Sequence, residues 1–183
     1  MNVKNHVKWF DEIRNQFIYG GKKYAKTSTK ESTDVLFDTF GQNWLYGTLG
    51  KYCFRYSNVG REKDLLKIAT YCFIIWLKRG FHLKEEGTKE VINTTVNIKS
   101  KYFGKFEQRV FDFMGDYNTI GLLNPIETIY DILSIIFANI PFQDIKEERL
   151  FEIFALCYYT WERDIPDNQK GKDQDVYHPK DRK

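Results

Sequence analysis

The chain has 183 residues, of which 42% are hydrophobic, 17% aromatic and 29% charged. A globule of this length buries roughly 70% of the surface its unfolded chain exposes, so it needs neither disulfides nor a structural metal, and the composition excludes a disordered chain, a collagen-like repeat and a disulfide knot. The net charge of +3 is too small to identify a nucleic-acid binder, but it is unevenly spread: +2 over residues 1–50, +7 over 51–110, −8 over 111–168 and +2 over 169–183. Either the basic middle binds phosphates while the acidic part holds a metal or a basic partner, or the two parts pack on each other or on a neighbouring subunit.

The dominant period is helical. Val3, Val7, Phe10, Ile13 and Phe17 recur at steps of three and four, which predicts one buried helix face ending at Gly20-Gly21. Ser28 and Glu31 have capping-box spacing and predict a short helix up to Phe40, before Gly41. A third helix is expected over about 43–57, with Trp44, Leu45, Leu49, Tyr52 and Tyr56 apolar. Ser57-Asn58-Val59-Gly60 is a tight turn, and a fourth helix over about 61–79 buries Leu65, Ile68, Ala69, Cys72, Phe73 and Trp76. Two amphipathic helices joined so closely form an antiparallel hairpin.

Residues 81–90 form a polar link. Val91 to Val96 is β-branched, yet no partner strand is visible, so a helix is expected there, followed by another over 102–114 that ends at Gly115. Asn124-Pro125-Ile126-Glu127 has the chemistry of a helix start, and Ile126, Ile129, Tyr130, Leu133, Ile136, Phe137 and Ile140 form its apolar face up to Pro141. Asp144 and Glu147 open a last helix with Leu150, Phe151, Phe154, Tyr158 and Trp161 on its buried face, ending near Pro166. The expected architecture is all-α, a helical bundle built around the 43–79 hairpin, with residues 1–166 as one domain and 167–183 as a polar, flexible tail. No internal repeat is apparent.

Cys53, Cys72 and Cys157 are odd in number and lack CxxC spacing, which suits free buried thiols in a reducing compartment. His6, His82 and His178 form no zinc-binding motif. The N-terminal residues lack the apolar core of a signal peptide, and the longest apolar stretch, Leu65 to Leu77, is shorter than the about 20 residues that a membrane span needs. A soluble cytoplasmic protein with no membrane partner is expected.

The hairpin carries the most informative pattern: Gly47-x-x-x-Lys51-Tyr52-x-x-Arg55, then Asp64-Leu65-x-Lys67-x-x-x-Tyr71. Lys51 and Arg55 share one helix face, and Lys67 and Tyr71 share a face of the returning helix. Cations beside a tyrosine hydroxyl can cradle a phosphate, because arginine binds it bidentately and lysine acts as a point charge; Asp64 would then orient Arg55. The plainer alternative is a salt-bridged hairpin in which Asp64 pairs with Arg55 or Lys67 and the tyrosines fill the core.

This pattern, over about 25 residues, resembles the small phage-encoded helical family called SaV-like, some of whose members are loosely described as nucleotide kinases. The chain has Thr48 where that family has asparagine. The resemblance implies a phage origin and a host-cell cytoplasmic location, while the assignment of Lys51, Tyr52, Arg55, Asp64, Lys67 and Tyr71 as phosphate-site residues rests on their spacing and chemistry. Upstream, Tyr19-Gly20-Gly21-Lys22-Lys23-Tyr24, with Asn43-Trp44, resembles the N-terminal region of phage dATP/dGTP diphosphohydrolases.

Both resemblances point to nucleotide metabolism, where all-α MazG-type pyrophosphohydrolases hold Mg²⁺ with carboxylates on adjacent helices. The nearest counterparts are Glu127 with Asp131 and Glu148 with Glu152, which also read as ordinary solvated acids flanking apolar faces. No GxSxG motif and no cysteine–histidine pairing supports nucleophilic catalysis. The expected function is therefore a phage-type nucleotide- or phosphate-binding protein, possible as a Mg²⁺-dependent pyrophosphohydrolase. The alternative is a non-enzymatic protein whose charge split drives homo-oligomerisation, host-factor inhibition or weak nucleic-acid binding.

Overall fold

A computed structural model describes residues 3–24, 32–81, 96–117, 128–139 and 145–172. Among these residues there are seven helices and no strand: α1 (Val3–Tyr24), α2 (Ser32–Phe40), α3 (Gln42–Val59), α4 (Glu62–Lys78), α5 (Val96–Tyr117), α6 (Thr128–Asn139) and α7 (Glu147–Asp164). The all-α bundle is thus the observed fold.

Its centre is aromatic. The Phe106 ring lies 5.2 Å from Phe73, 5.5 Å from Trp76 and 5.4 Å from Phe154, so side chains of α4, α5 and α7 meet at one point. Trp9, Phe10 and Ile13 bring α1 onto the same core. Rings packed edge-to-face in this way gain about 0.5–1.5 kcal/mol per pair beyond their burial.

Three local expectations are corrected. The glycine pair does not stop the first helix: α1 continues through Gly20 and Gly21 to Tyr24. A helical glycine costs only about 1 kcal/mol relative to alanine, and the preceding turns are anchored by buried Trp9, Phe10, Ile13 and Phe17. For the same reason α5 passes Gly115 and ends at Tyr117. Val7 is 55% exposed, because the buried stripe of α1 runs through His6, Trp9 and Phe10 instead. The expected helix starts at Ser28 and at Asn124, the Val91–Thr95 stretch, most of the 81–90 link, Pro141 and Asp144 lie outside the described residues, as do Ile126, Ile140 and the side chains of Ile129, Tyr130 and Phe137. The buried face of α6 includes Ile132, Leu133 and Ile136.

The segment after Pro166 is not all tail. Residues 166–172 turn back onto the bundle, and Lys170 is 6% exposed. Its ammonium sits 4.6 Å from the centroid of the Trp161 ring and donates to Asp167 and to the Glu162 carbonyl. Residues 173–183 lie outside the described residues.

The bundle also contains an internal repeat that the sequence did not reveal. Glu62, Leu65, Ile68, Cys72 and Trp76 of α4 recur in the same register as Glu147, Leu150, Ile153, Cys157 and Trp161 of α7. Trp9-Phe10 and Ile13 of α1 likewise match Tyr102-Phe103 and Phe106 of α5, all buried. The contacts are reciprocal. Trp161 Nε1 donates to Glu62 Oε1 at 2.7 Å, and Trp76 Nε1 donates to Glu147 Oε1 at 2.5 Å. Arg14 pairs with its own counterpart Glu107 at 3.1 Å. Helix α1 packs on α4 as α5 packs on α7, and α3 meets α6. Residue i touching j′ while j touches i′ is the signature of an isologous two-fold interface, here within one chain. The repeat escapes detection in the sequence because several charged positions differ in sign: Asp64 corresponds to Arg149, and Lys67 to Glu152.

Candidate functional site

The α3–α4 hairpin forms because α3 ends on Gly60, whose φ of 68° places it in the left-handed region that side chains avoid. Its N–H donates to the Tyr56 carbonyl at 2.7 Å and closes the last turn. Tyr56 itself is anchored, its hydroxyl donating to Asp164 Oδ2 of α7 at 3.0 Å. Burial, followed by the Asp164 charge and hydrogen bond, pushes that hydroxyl's pKa up.

The first turn of α4 carries Glu62 and Asp64, acids that the positive end of a helix favours. Asp64 is fully buried, and its carboxylate lies 3.5 Å from Arg55 Nε and 3.2 Å from Arg61 Nε. Asp64 therefore holds Arg55, as expected, but its second partner is Arg61 rather than Lys67. The three-residue spacing between Arg61 and Asp64 was the available signal for that pair.

Tyr52 organises the rest of the hairpin face. Lys51 Nζ lies 4.6 Å, Lys67 Nζ 5.4 Å and Arg55 Cζ 5.5 Å from the centroid of its ring. The Tyr71 ring packs 6.0 Å from Tyr52, and Trp44 packs 6.0 Å from Tyr71. The hairpin thus brings together all six residues singled out in its sequence, with Arg61 and Trp44 added. Each cation gains about 0.5–1 kcal/mol from the ring face at an exposed site. Like charges at one ring also repel, although Arg55 already faces the Asp64 carboxylate. An anion bound among them would relieve that repulsion.

The acidic residues gather differently. Glu127 lies outside the described residues. Glu152 pairs with Arg149 at 2.5 Å, Glu148 is exposed, and Asp131 is half-buried on α6. Among the described residues no three histidine, cysteine or carboxylate side chains are placed to hold a metal ion. Glu147, expected as a first-turn acid, is 3% exposed and accepts from Trp76 and from Arg109 Nη2 at 2.7 Å.

The thiols offer no nucleophile. Cys53, Cys72 and Cys157 are buried and free, and burial raises the pKa of each, that of Cys53 to about 12. His6 is buried against Phe10, Phe111 and Tyr158, and desolvation lowers its pKa against the opposing pull of Glu162. Of the second sequence pattern, Tyr19 to Tyr24 forms the end of α1, while Asn43 and Trp44 lie in the first turn of α3. Among the described residues no helix is long and apolar enough to cross a membrane.

No family model matches the sequence, and no curated protein and no solved structure is detectably similar to it.

Proposed function

We propose that the α3–α4 hairpin binds a phosphorylated ligand, a nucleotide foremost, through Lys51, Arg55 and Lys67. The observation that carries this reading is the placement of those three cations within 5.5 Å of the Tyr52 ring, with the buried Asp64 fixing Arg55 from behind. Arginine supplies a planar fork for phosphate oxygens and the lysines supply point charges. The likeness of residues 47–71 to the SaV-like phage family supports the same reading. Mg²⁺ enters as the companion of a di- or triphosphate. Asp64, held between two guanidiniums, suits a residue that positions Arg55 for a bound phosphate, and Mg²⁺-dependent pyrophosphate hydrolysis is the activity to assay.

A thermal-shift series with dNTPs, pyrophosphate and inorganic phosphate, each with and without Mg²⁺, tests it. A ligand at 100 times its Kd stabilises the folded state by about 2.7 kcal/mol, a readily measured rise in Tm. The expected result is a rise in the wild type that Lys51→Ala and Arg55→Ala diminish. No rise with any phosphate compound, or an equal rise in the variants, contradicts the proposal.

A second reading, charge-driven self-association, is favoured by the opposite signs at the matching positions of α4 and α7. Light scattering across a salt series tests it. A mass that falls as salt rises supports it, whereas a single-chain mass at every salt concentration contradicts it. Gel shifts with single- and double-stranded nucleic acid test whether the basic hairpin face takes that partner instead.

A further inference from the structure

The two halves of the repeat treat their buried glutamates differently. Glu147 accepts from Trp76 and is paired with the Arg109 guanidinium at 2.7 Å. Glu62 accepts from Trp161, but its second partner is a backbone N–H: Gly171 donates to Oε1 at 2.8 Å and to Oε2 at 3.0 Å. Among the described residues Glu62 has no ion-pair partner. In register with Arg109, α1 carries Gln16 rather than an arginine, and a second acid of α1, Glu12, is 9% exposed.

Glu12 lies directly under the C-terminal turn. Gly171 has φ +80°, and a Cβ added there would stand 2.4 Å from Glu12 Oε1. Glu12 Oε2 is buried and has no hydrogen-bond partner among the described residues. An ionised carboxylate with a bare oxygen is costly in such a place, whereas a neutral carboxyl is tolerated. The charged groups that act on it are Lys8 and Asp11 on α1 and Glu62 on α4, and the turn above it carries Asp167, Lys170 and Lys172. Burial comes first and the Glu62 charge second in raising the Glu12 pKa, with Lys8 opposing. Lys8 is itself engaged by the turn, its ammonium donating to the Lys170 carbonyl at 2.8 Å.

We propose that residues 166–172 form a proton-controlled strap, seated on Glu62 and Trp161 when Glu12 is neutral and loosened when Glu12 ionises. Ionised Glu12 repels Glu62 and favours hydration of its carboxylate, and the Gly171 turn seated against that carboxylate is what gives way. Asp167 does not supply the switch, because the hydrogen bond and charge of Lys170 hold its pKa below the ordinary value. The sign follows: the folded state binds the Glu12 proton more tightly than an open one, so the strap is closed on the acid side and opens as pH rises through the Glu12 pKa.

Amide hydrogen exchange of the full chain, expressed as protection factors between about pH 5 and pH 8, reads the strap directly. The wild type should lose about tenfold or more of its Gly171 protection over that range, with Glu12→Gln keeping it nearly constant and high. Flat wild-type protection, or an equal fall in Glu12→Gln, overturns the proposal. Gly171→Ala provides a second test if Glu12→Gln folds poorly. Its methyl meets Glu12, so strap protection should be low at every pH, and retained protection with the wild-type pH profile also overturns the proposal.

Discussion

Replacing Trp161 with phenylalanine removes the indole N–H that donates to Glu62 at 2.7 Å while leaving most of the ring in place. Hydrogen bonds to charged groups contribute about 1.5–3 kcal/mol. The lost ring volume of about 40 Å³, at ~24 cal/mol per Å³, adds about 1 kcal/mol. The expected loss is therefore about 2.5–4 kcal/mol at neutral pH. Trp76→Phe makes the mirror deletion, but Glu147 keeps Arg109, so its cost should lie at or below the lower end of that range. Urea unfolding of the two variants and the wild type at neutral pH, followed by far-UV circular dichroism, gives these numbers from the shifts in midpoint. A Trp161→Phe loss below about 1 kcal/mol at neutral pH, or a Trp76→Phe loss that is clearly larger, would refute the reasoning from unequal partners.

Three further outcomes are expected. His6 is buried and its pKa is lowered, so its contribution is fully present above the ordinary imidazole value near 6.5 and is lost as pH falls toward the folded-state value; His6→Phe should flatten the decline in stability between about pH 7 and 5, and an unchanged decline would remove His6 from the account. The three buried thiols should react with a disulfide reagent only as fast as the chain opens, so that urea below the unfolding transition leaves them nearly inert; rapid labelling of the native protein would contradict their burial. Gly60→Ala forces a side chain into the left-handed region at φ 68° and should cost about 1–2 kcal/mol in urea unfolding, whereas a neutral result would mean that the turn adopts another conformation.

The sequence carried the helices well where apolar period and stop signals agreed. The α3–α4 hairpin is the clearest case, since Gly60 stands where both faces end, and its polar residues converge because helical spacing already placed them on adjacent faces. Glycines misled where packing overrode local preference, as in α1 beyond Gly20. The buried acids were the larger gap. Glu62 and Glu147 look like solvated first-turn residues until the tryptophan of the other half is brought to each, and that pairing depends on how α4 and α7 cross. The repeat was hidden for a related reason: most shared positions are apolar residues that any amphipathic helix supplies, while Asp64 and Lys67 correspond to residues of opposite sign, Arg149 and Glu152. Residues 166–172 looked like tail because their anchoring relies on a lysine ammonium over Trp161 and a glycine N–H, not on apolar side chains.

The most direct test of the hairpin as a phosphate site is titration calorimetry with pyrophosphate and a dNTP at low and physiological salt. The wild type should bind, with affinity falling as salt rises. Lys51→Ala and Lys67→Ala should each weaken binding roughly tenfold or more, the loss of one charge-assisted contact. Binding that is absent from the wild type, or unchanged in both variants, would contradict the assignment of the Tyr52 cluster as the site.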